Sequence, residues 1–310
     1  MEIVTSCLAC NSSKFSPYIQ TGAMMHTPST ITYNFDKCAD CGLVFINPRI
    51  PESALGEFYT SAYLPYRAEE AWGKYASFVQ KDQEKTDAAR IGVVKKYATL
   101  TSKSRILDVG CGNPTFLRAL GKTVDSNLIG IDFSNEGWKH APESFANIDL
   151  RIGEIADLAG ELPMDAITMW HYLEHDYQPQ KHLIELLAIS HSETKLVLEV
   201  PNFDSYTRRK FGKYWAGYHT PRHTGLYSLE NIKVLLENSG WQVEKVLNYG
   251  SLAPYTLHWM SEMEKKQIDW GKSMEPRFIR FVVGMILHAP IYFMQKLFSM
   301  GFMTVIAKPI

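Results

Sequence analysis

The sequence predicts an α/β fold of the doubly wound kind, behind a small cysteine-bearing start. Three observations carry that expectation. An apolar β-type run, Arg105-Ile106-Leu107-Asp108-Val109, feeds a glycine turn, Gly110-Cys111-Gly112-Asn113-Pro114, and then a helical stretch from Thr115 to Leu120. Six further apolar runs of strand length follow, with helix-patterned or loop segments between them. Four of the five cysteines fall as two C-x-x-C pairs near the start. A doubly wound sheet places its ligand at the carboxyl end of the first strand, where glycines let backbone come close.

With 310 residues, the chain has room for one large domain and a small module. Hydrophobic residues make up 45% and charged residues 21%, ordinary for a globular protein. A net charge of −1 gives no general pull toward nucleic acid or an anionic membrane. Met1-Glu2-Ile3-Val4-Thr5-Ser6 has neither the basic start nor the apolar core of a signal peptide, so a cytoplasmic location is expected.

The cysteine pairs are Cys7-Leu8-Ala9-Cys10 and Cys38-Ala39-Asp40-Cys41, 27 residues apart. Two such knuckles make a tetrahedral thiolate cage for zinc, and the spacing leaves room for a hairpin at Ile31 to Phe35. Two disulfides are the rival, disfavoured in a reducing compartment. Four thiolates leave no open coordination position, so the zinc is expected to be structural, holding a segment, 1–50, too small for its own core. Cys111, in the glycine turn, reads as a small packing residue.

After an extended exit through Phe45 to Arg49, residues 51–103 read as a helical linker or cap. Trp72, Tyr75, Phe78 and Val79 share one face, with Lys and Glu opposite. Tyr59, Tyr63 and Tyr66 form an aromatic cluster with two readings, plain packing or closure over the active site.

The ligand of the glycine turn follows from its surroundings. A dinucleotide fingerprint would have a third glycine at Thr115, and Asp108 would sit badly beside a pyrophosphate. A carboxylate there suits a cationic, phosphate-free ligand such as S-adenosylmethionine (SAM). Leu107-Asp108-Val109-Gly110-Cys111-Gly112 resembles motif I of the class I SAM-dependent methyltransferases, with Pro114 where the family has its third small residue. The resemblance implies a seven-stranded Rossmann-like sheet over 104–310, with Asp108, Gly110 and Gly112 at the cofactor.

The second strand, Leu128 to Asp132, ends in an acid 24 positions after Asp108, placed to accept from both ribose hydroxyls. The resemblance gives that role to Asp132, sets Phe133 near the adenine, and has Glu154 and Ile155, after the third strand (Ile148 to Gly153), line the adenine pocket. The fourth strand is Met164 to Trp170, with Trp170 a further cofactor-side candidate, and the fifth is Lys195 to Val200. Leu229 to Ser239 is a helix stopped by Gly240. Trp241 to Val246 and Phe302 to Ala307 complete the sheet, the last strand antiparallel.

Residues 251–301 are too many for a hairpin and read as a helical insertion before the last strand. Its apolar run between Arg280 and Lys296 is interrupted by His288 and Pro290 and is too short to span a bilayer. Helices over an apolar substrate are the favoured reading. A dimer surface and an interfacial helix are the others, and membrane-surface contact is not favoured because basic residues are few.

The fourth strand runs into Trp170-His171-Tyr172-Leu173-Glu174-His175, which resembles the His-x-Leu-Glu-His stretch of many small-molecule methyltransferases. Pro221 to Ser228, preceded by Trp215 and His219, is a matching later stretch, expected on a loop at the substrate entrance. Where the acceptor is a hydroxyl or acidic carbon, a base must take its proton, and histidine suits that near pH 7. His175 and His223 are the candidates. Glu174 and His175 could alternatively hold a divalent metal, as in some quinone-type O-methyltransferases, although no third ligand stands at helical spacing. Arg208, Arg209 and Lys210 with Lys213 and Arg222 make a basic cluster, either a solvated face or a receptor for an anionic substrate group.

The expected function is methyl transfer from SAM to a small-molecule acceptor (a sugar, lipid or specialised metabolite), at a hydroxyl first, carbon or nitrogen next. The chain ends at its seventh strand, which counts against the larger sugar C-methyltransferases with a similar zinc start. An rRNA methyltransferase using the zinc module for RNA is a rival, opposed by the neutral charge and by the lack of a basic, aromatic-laced surface in 1–50. A non-catalytic SAM-binding scaffold is the other. Oligomeric state is left open by the sequence.

Overall fold

A computed structural model describes residues 1–26, 29–59 and 64–310, apart from the side chains of Pro65, Tyr66 and Ala68. Two sheets form its frame. The smaller contains β1 (Phe15–Gly22), β2 (Thr32–Cys38) and β3 (Val44–Ile46). β1 and β2 pair antiparallel, so the expected hairpin is present and delivers Cys38 to the cage at its end. This sheet does not close on itself. Its fourth strand is β9 (Gly225–Leu226), which sets Leu226 opposite Val44 and Gly225 opposite Phe45. The cysteine module therefore shares a sheet with the segment that carries His223.

Residues 51–103 are less uniformly helical than the apolar spacing suggests. A 3-10 stretch over Glu52–Phe58, one turn α1 (Leu64–Arg67) and a second 3-10 stretch precede α2 (Ala76–Tyr97). At Gly73 the backbone turns to φ 52°, a conformation that breaks the helix and comes cheaply to glycine. Of the expected aromatic cluster, Tyr59 is described. Tyr63 and the Tyr66 ring lie outside the described residues.

The larger sheet consists of β4 (Arg105–Val109), β5 (Asn127–Asp132), β6 (Asp149–Ile152), β7 (Met164–Trp170), β8 (Ser190–Pro201), β10 (Trp241–Leu247) and β11 (Phe302–Pro309). Its order is β10-β11-β8-β7-β4-β5-β6. The strands from β4 to β8 run parallel, and β11 is antiparallel to both β8 and β10. All seven expected strands are present. β8 is longer than its apolar run suggested, because polar Ser190 to Thr194 continue the extended backbone.

Short helices α3 (Thr115–Gly121), α4 (Pro179–Ala188), α5 (Tyr206–Phe211) and α6 (Leu229–Asn238) link the strands. Ser228 starts α6 with a reciprocal cap, its hydroxyl accepting from Asn231 while Asn231 accepts from the Ser228 N–H. The sheet is covered on both faces by apolar side chains. One cluster runs from Leu107 and Ile131 through Leu198 and Trp241, and reaches Cys7 and Cys38. The other holds Val94, Phe116, Trp170 and Ile306, so α2 packs directly on the sheet.

The insertion is helical as expected, with α7 (Tyr255–Lys265) and α8 (Phe278–Tyr292). One side of α8 meets the linker, with Phe278 stacked on Tyr75 at 3.8 Å and edge-on to Trp72 and Phe78. The shared face predicted for residues 72–79 is thus buried against the insertion.

Candidate functional site

The parallel register brings Asp108 opposite both Gly130 and Thr168, so the carboxyl ends of β4, β5 and β7 converge. The glycine turn follows β4. Gly110 and Gly112 have φ of 67° and 49°, in the left-handed region where a side chain is strained. The N–H groups of Gly110 and Cys111 donate to the Ile131 carbonyl at 2.8 and 3.1 Å, which ties the turn to the end of β5. A Cβ on Gly110 would run into the Tyr172 ring, whereas nothing lies within 4 Å of that position at Gly112. Gly112 therefore offers bare backbone to open space.

Asp132 ends β5 beside that space. Its carboxylate accepts from the Gly112 N–H at 2.9 Å and the Ser134 N–H at 3.1 Å. Burial raises its pKa, and these two bonds offset only part of the rise. Asp108 is 3% exposed, and the Thr168 hydroxyl donates to it at 2.6 Å. Burial pushes its pKa up to about 7.

Trp170 lies edge-on to Phe116 at 5.4 Å, with the Arg90 guanidinium 5.0 Å from its ring centre, and its buried Nε1 has no hydrogen-bond partner among the described residues. Phe133 is 67% exposed, its ring 6.4 Å from that of Tyr59. Glu154 is exposed and caps the turn after β6, while Ile155 is buried in the sheet core with Leu158. The structure thus gathers Asp108, Gly110, Gly112, Asp132 and Trp170, puts Phe133 and Glu154 at the surface, and turns Ile155 inward. Cys111 is buried beside Gly130, as a packing residue would be.

β7 leaves the sheet through His171, at φ 58°, into a 3-10 turn over Leu173–His175. His171 stands between two buried glutamates, its Nδ1 3.2 Å from Glu174 Oε1 and its Nε2 3.0 Å from Glu199 Oε1. Burial pulls its pKa down, but the two carboxylates outweigh it and hold the imidazole at about 9. Glu199 also accepts from the Ser251 N–H and hydroxyl, at 2.6 and 2.9 Å. Burial raises its pKa, and His171 brings it below the usual value.

His175, His219 and His223 form a second group. The His175 ring stands perpendicular to that of His223 at 4.5 Å, and His223 stacks on His219 at 4.8 Å. His175 Nδ1 is 3.3 Å from the Tyr59 hydroxyl, and its ring also hydrogen-bonds the Arg222 backbone. His223 Nδ1 lies 2.8 Å from the Gly217 carbonyl. Burial lowers the pKa of His175 and lowers that of His223 further, with His175 beside it, so both rings are neutral at pH 7. One ligand atom each from Glu174, His175 and His223 falls within 4.8 Å of the others. The third ligand missing at helical spacing thus arrives from a residue 48 positions away in sequence.

Residues 215–224 precede α6 as expected, and every one of them is buried, because the segment is clamped between the small sheet and α7. One expectation about the later stretch is corrected: Arg222 does not join the basic cluster. It is fully buried, and its guanidinium donates to the carbonyls of Met24, Met25 and Phe58, which holds the linker down. Arg209, Lys210 and Lys213 remain exposed.

At the far end of the small sheet, Cys7 and Cys41 sulfurs are 3.5 Å apart and those of Cys10 and Cys38 3.6 Å, with all four mutually within 4.8 Å. Tetrahedral zinc with bonds of about 2.3 Å needs sulfurs about 3.8 Å apart, so the set fits that ion.

Sequence reasoning missed Glu199, His171 as a charge partner, Tyr59 as a neighbour of His175, and Arg90. Glu199 did carry a signal, a lone acid in the apolar run Leu196-Val197-Leu198-Glu199-Val200. Tyr59 carried one too, as a member of the aromatic cluster with closure over the active site among its readings, although its contact with His175 did not show; Arg90 carried none, since only the fold of the linker brings it in.

Comparison with known proteins is consistent with this geometry. A family model described as "Methyltransferase domain" matches residues 80–246. A ubiquinone biosynthesis O-methyltransferase of Chromobacterium violaceum is 30% identical over 115 residues, covering 35% of this chain and 48% of its own length. One from Xylella fastidiosa is 34% identical over 121 residues, covering 34% of this chain and 48% of its own. The chain thus spans about half the length of these curated relatives. Among solved structures, a mycolic acid cyclopropane synthase complexed with S-adenosylhomocysteine and CTAB aligns with TM-score 0.50 at 15% identity, over 71% of this chain and 83% of that one. The cyclase SpnF aligns with TM-score 0.50 at 16% identity, over 71% and 80%. At those identities the two structures speak to the fold.

Proposed function

The chain belongs to the class I SAM-dependent methyltransferases, and on that premise we propose that it methylates a hydroxyl of a small-molecule acceptor, with His175 as the base. One observation carries the choice of a hydroxyl. The phenolic oxygen of Tyr59 already rests 3.3 Å from the Nδ1 of a half-buried, neutral imidazole in the turn after β7. A hydroxyl donor therefore fits there, and the acceptor would take the same place.

The bare backbone at Gly112 and the carboxylate of Asp132 beside open space fit SAM. In this reading Asp132 accepts from the ribose hydroxyls, and Gly110 to Gly112 admit the cofactor chain. Phe133 offers its exposed ring to the adenine with Glu154 at the rim, while Asp108 and Trp170 wall the inner side. Ile155 contributes by packing behind that rim. When bound, SAM supplies an electrophilic methyl on a sulfonium. Aligning the acceptor with it is the main contribution of the protein. His175 Nδ1 then takes the acceptor proton, with His223 packed against it, and its lowered pKa keeps it unprotonated at pH 7.

A second reading gives Glu174, His175 and His223 to a divalent ion that would bind the acceptor oxygen, and their mutual spacing favours it. The two separate under mild chelation that leaves the four-cysteine zinc in place by metal analysis, which abolishes turnover in the second and leaves it in the first. Cys7, Cys10, Cys38 and Cys41 we assign to a structural zinc, and the free thiols fit a cytoplasmic setting. A small molecule, not nucleic acid, is the partner, given the net charge of −1.

The test is calorimetric titration with SAM and S-adenosylhomocysteine, then acceptor screening with labelled methyl over hydroxyl, amine and carbon substrates. Tight binding with hydroxyl methylation is expected. A folded, zinc-loaded protein that binds neither compound would be a scaffold.

A further inference from the structure

The outer side of α8 is covered by nothing in the chain described. Ile279, Val283, Ile286 and Leu287 recur at helical spacing and, with Phe293 and Leu297 just beyond, continue one apolar stripe. Leu287 is 71% exposed and Phe293 86%. The opposite side of the same helix is buried against Trp72, Tyr75 and Tyr255. An apolar face of that extent on an otherwise polar surface marks an interaction site.

The segment itself carries charge of one sign. Between residues 276 and 310 there is no aspartate or glutamate, while Arg277, Arg280 and Lys296 flank the stripe. Two acids on neighbouring elements are engaged, Glu262 with Lys266 and Arg280, and Glu275 with Lys74, while Glu69 and Glu70 lie exposed on the linker stretch beside them. Exposed Arg209, Lys210 and Lys213 adjoin the same helix pair, since Lys210 Nζ lies 3.4 Å from His258, whose ring is 4.4 Å from that of His288 on α8.

We propose that this face is an interfacial membrane anchor, laid flat on a bilayer that carries anionic phospholipid. Apolar side chains would sit at the acyl boundary, with arginine and lysine at headgroup level. No described helix is long and apolar enough to cross a membrane, and α8, 15 residues long and thus about 22 Å, is shorter than the ~30 Å hydrocarbon core. A second copy fits less well: a twofold contact would bring the basic flanks of two copies together, with no acid between residues 276 and 310 to answer Arg277 and Lys296.

Sedimentation of the full chain with vesicles tests this, using phosphatidylcholine alone and a mixture with phosphatidylglycerol. The expected result is co-sedimentation with the anionic vesicles, at least tenfold weaker on neutral ones and weakened by salt. The pair Ile286→Glu and Leu287→Glu, both exposed, should lose binding at least tenfold and keep SAM affinity. Should that pair fail to fold, Lys296→Gln with Arg277→Gln should still lower binding to the anionic mixture. Protein left in the supernatant with anionic vesicles would overturn the proposal, as would undiminished binding by these variants. A wild-type dimer in light scattering that the glutamate pair splits would hand the face to a second copy and overturn it as well.

Discussion

The hydroxyl of Tyr59 meets Nδ1 of His175 at 3.3 Å, while the Tyr59 ring stands 6.4 Å from Phe133. One side chain from the linker thus touches both the proposed base and the proposed adenine side. His175→Ala is expected to retain SAM affinity and lose turnover by about 100- to 10,000-fold, the range of a general base. Tyr59→Phe keeps the ring and should change turnover less than about tenfold. An equal loss in both variants would make Tyr59 itself catalytic. Because burial lowers the pKa of His175, wild-type turnover should hold as pH falls through 6.5, and a decline centred there would remove the imidazole from the base role.

Asp132→Ala tests the cofactor side. In the structure its carboxylate organises the glycine turn through Gly112 and the next turn through Ser134. Hydrogen bonds to a charged group are worth about 1.5–3 kcal/mol, so SAM affinity should fall roughly ten- to a hundredfold with zinc content unchanged. Undiminished affinity would sink the ribose assignment.

Cys38→Ser tests the cage. Cys38 is buried at the end of β2, and its module shares a sheet with β9, next to the histidine segment. The variant should release zinc and lower the melting temperature by many degrees, since structural zinc supplies a large part of the folding energy of such modules. Turnover would then decline only as the fold does. Full zinc content in the variant, by metal analysis, would refute four-sulfur ligation.

Most of the seven strands were legible as short runs rich in apolar residues, and the seam of the sheet because Asp108 and Asp132 stand at the carboxyl ends of theirs. The clustering of the four cysteines was legible from spacing alone. What stayed hidden depends on partners far apart in sequence. Nothing in the sequence shows that Thr224 would donate to the carbonyls of Glu174 and Asp176, yet that contact brings His223 to His175. Arg222 looked like a member of a basic surface because charge is normally solvated. It is buried because three backbone carbonyls, at Met24, Met25 and Phe58, take its guanidinium. α8 read as a lid because its inner side is apolar, and an all-round apolar helix cannot reveal which side stays uncovered.

The His171 ion pairs make a pH-dependent contribution to stability whose sign follows from the direction of the shift. Burial works against the charge, but Glu174 and Glu199 hold His171 at about 9, above the ~6.5 of an unfolded chain. The folded state therefore binds the proton more tightly, so this stabilisation is full below pH 6.5 and disappears as pH rises through 9. Its size is of order 3 kcal/mol. His171→Gln removes the charge and should melt well below the wild type at pH 6. The gap should narrow steadily toward pH 9.5, where the wild type has lost the same charge and left Glu174 and Glu199 to repel one another. Thermal melts of both proteins across that range are the measurement. A gap that does not change with pH would mean that His171 serves by packing against Phe302, 5.1 Å away ring to ring, and not by its proton.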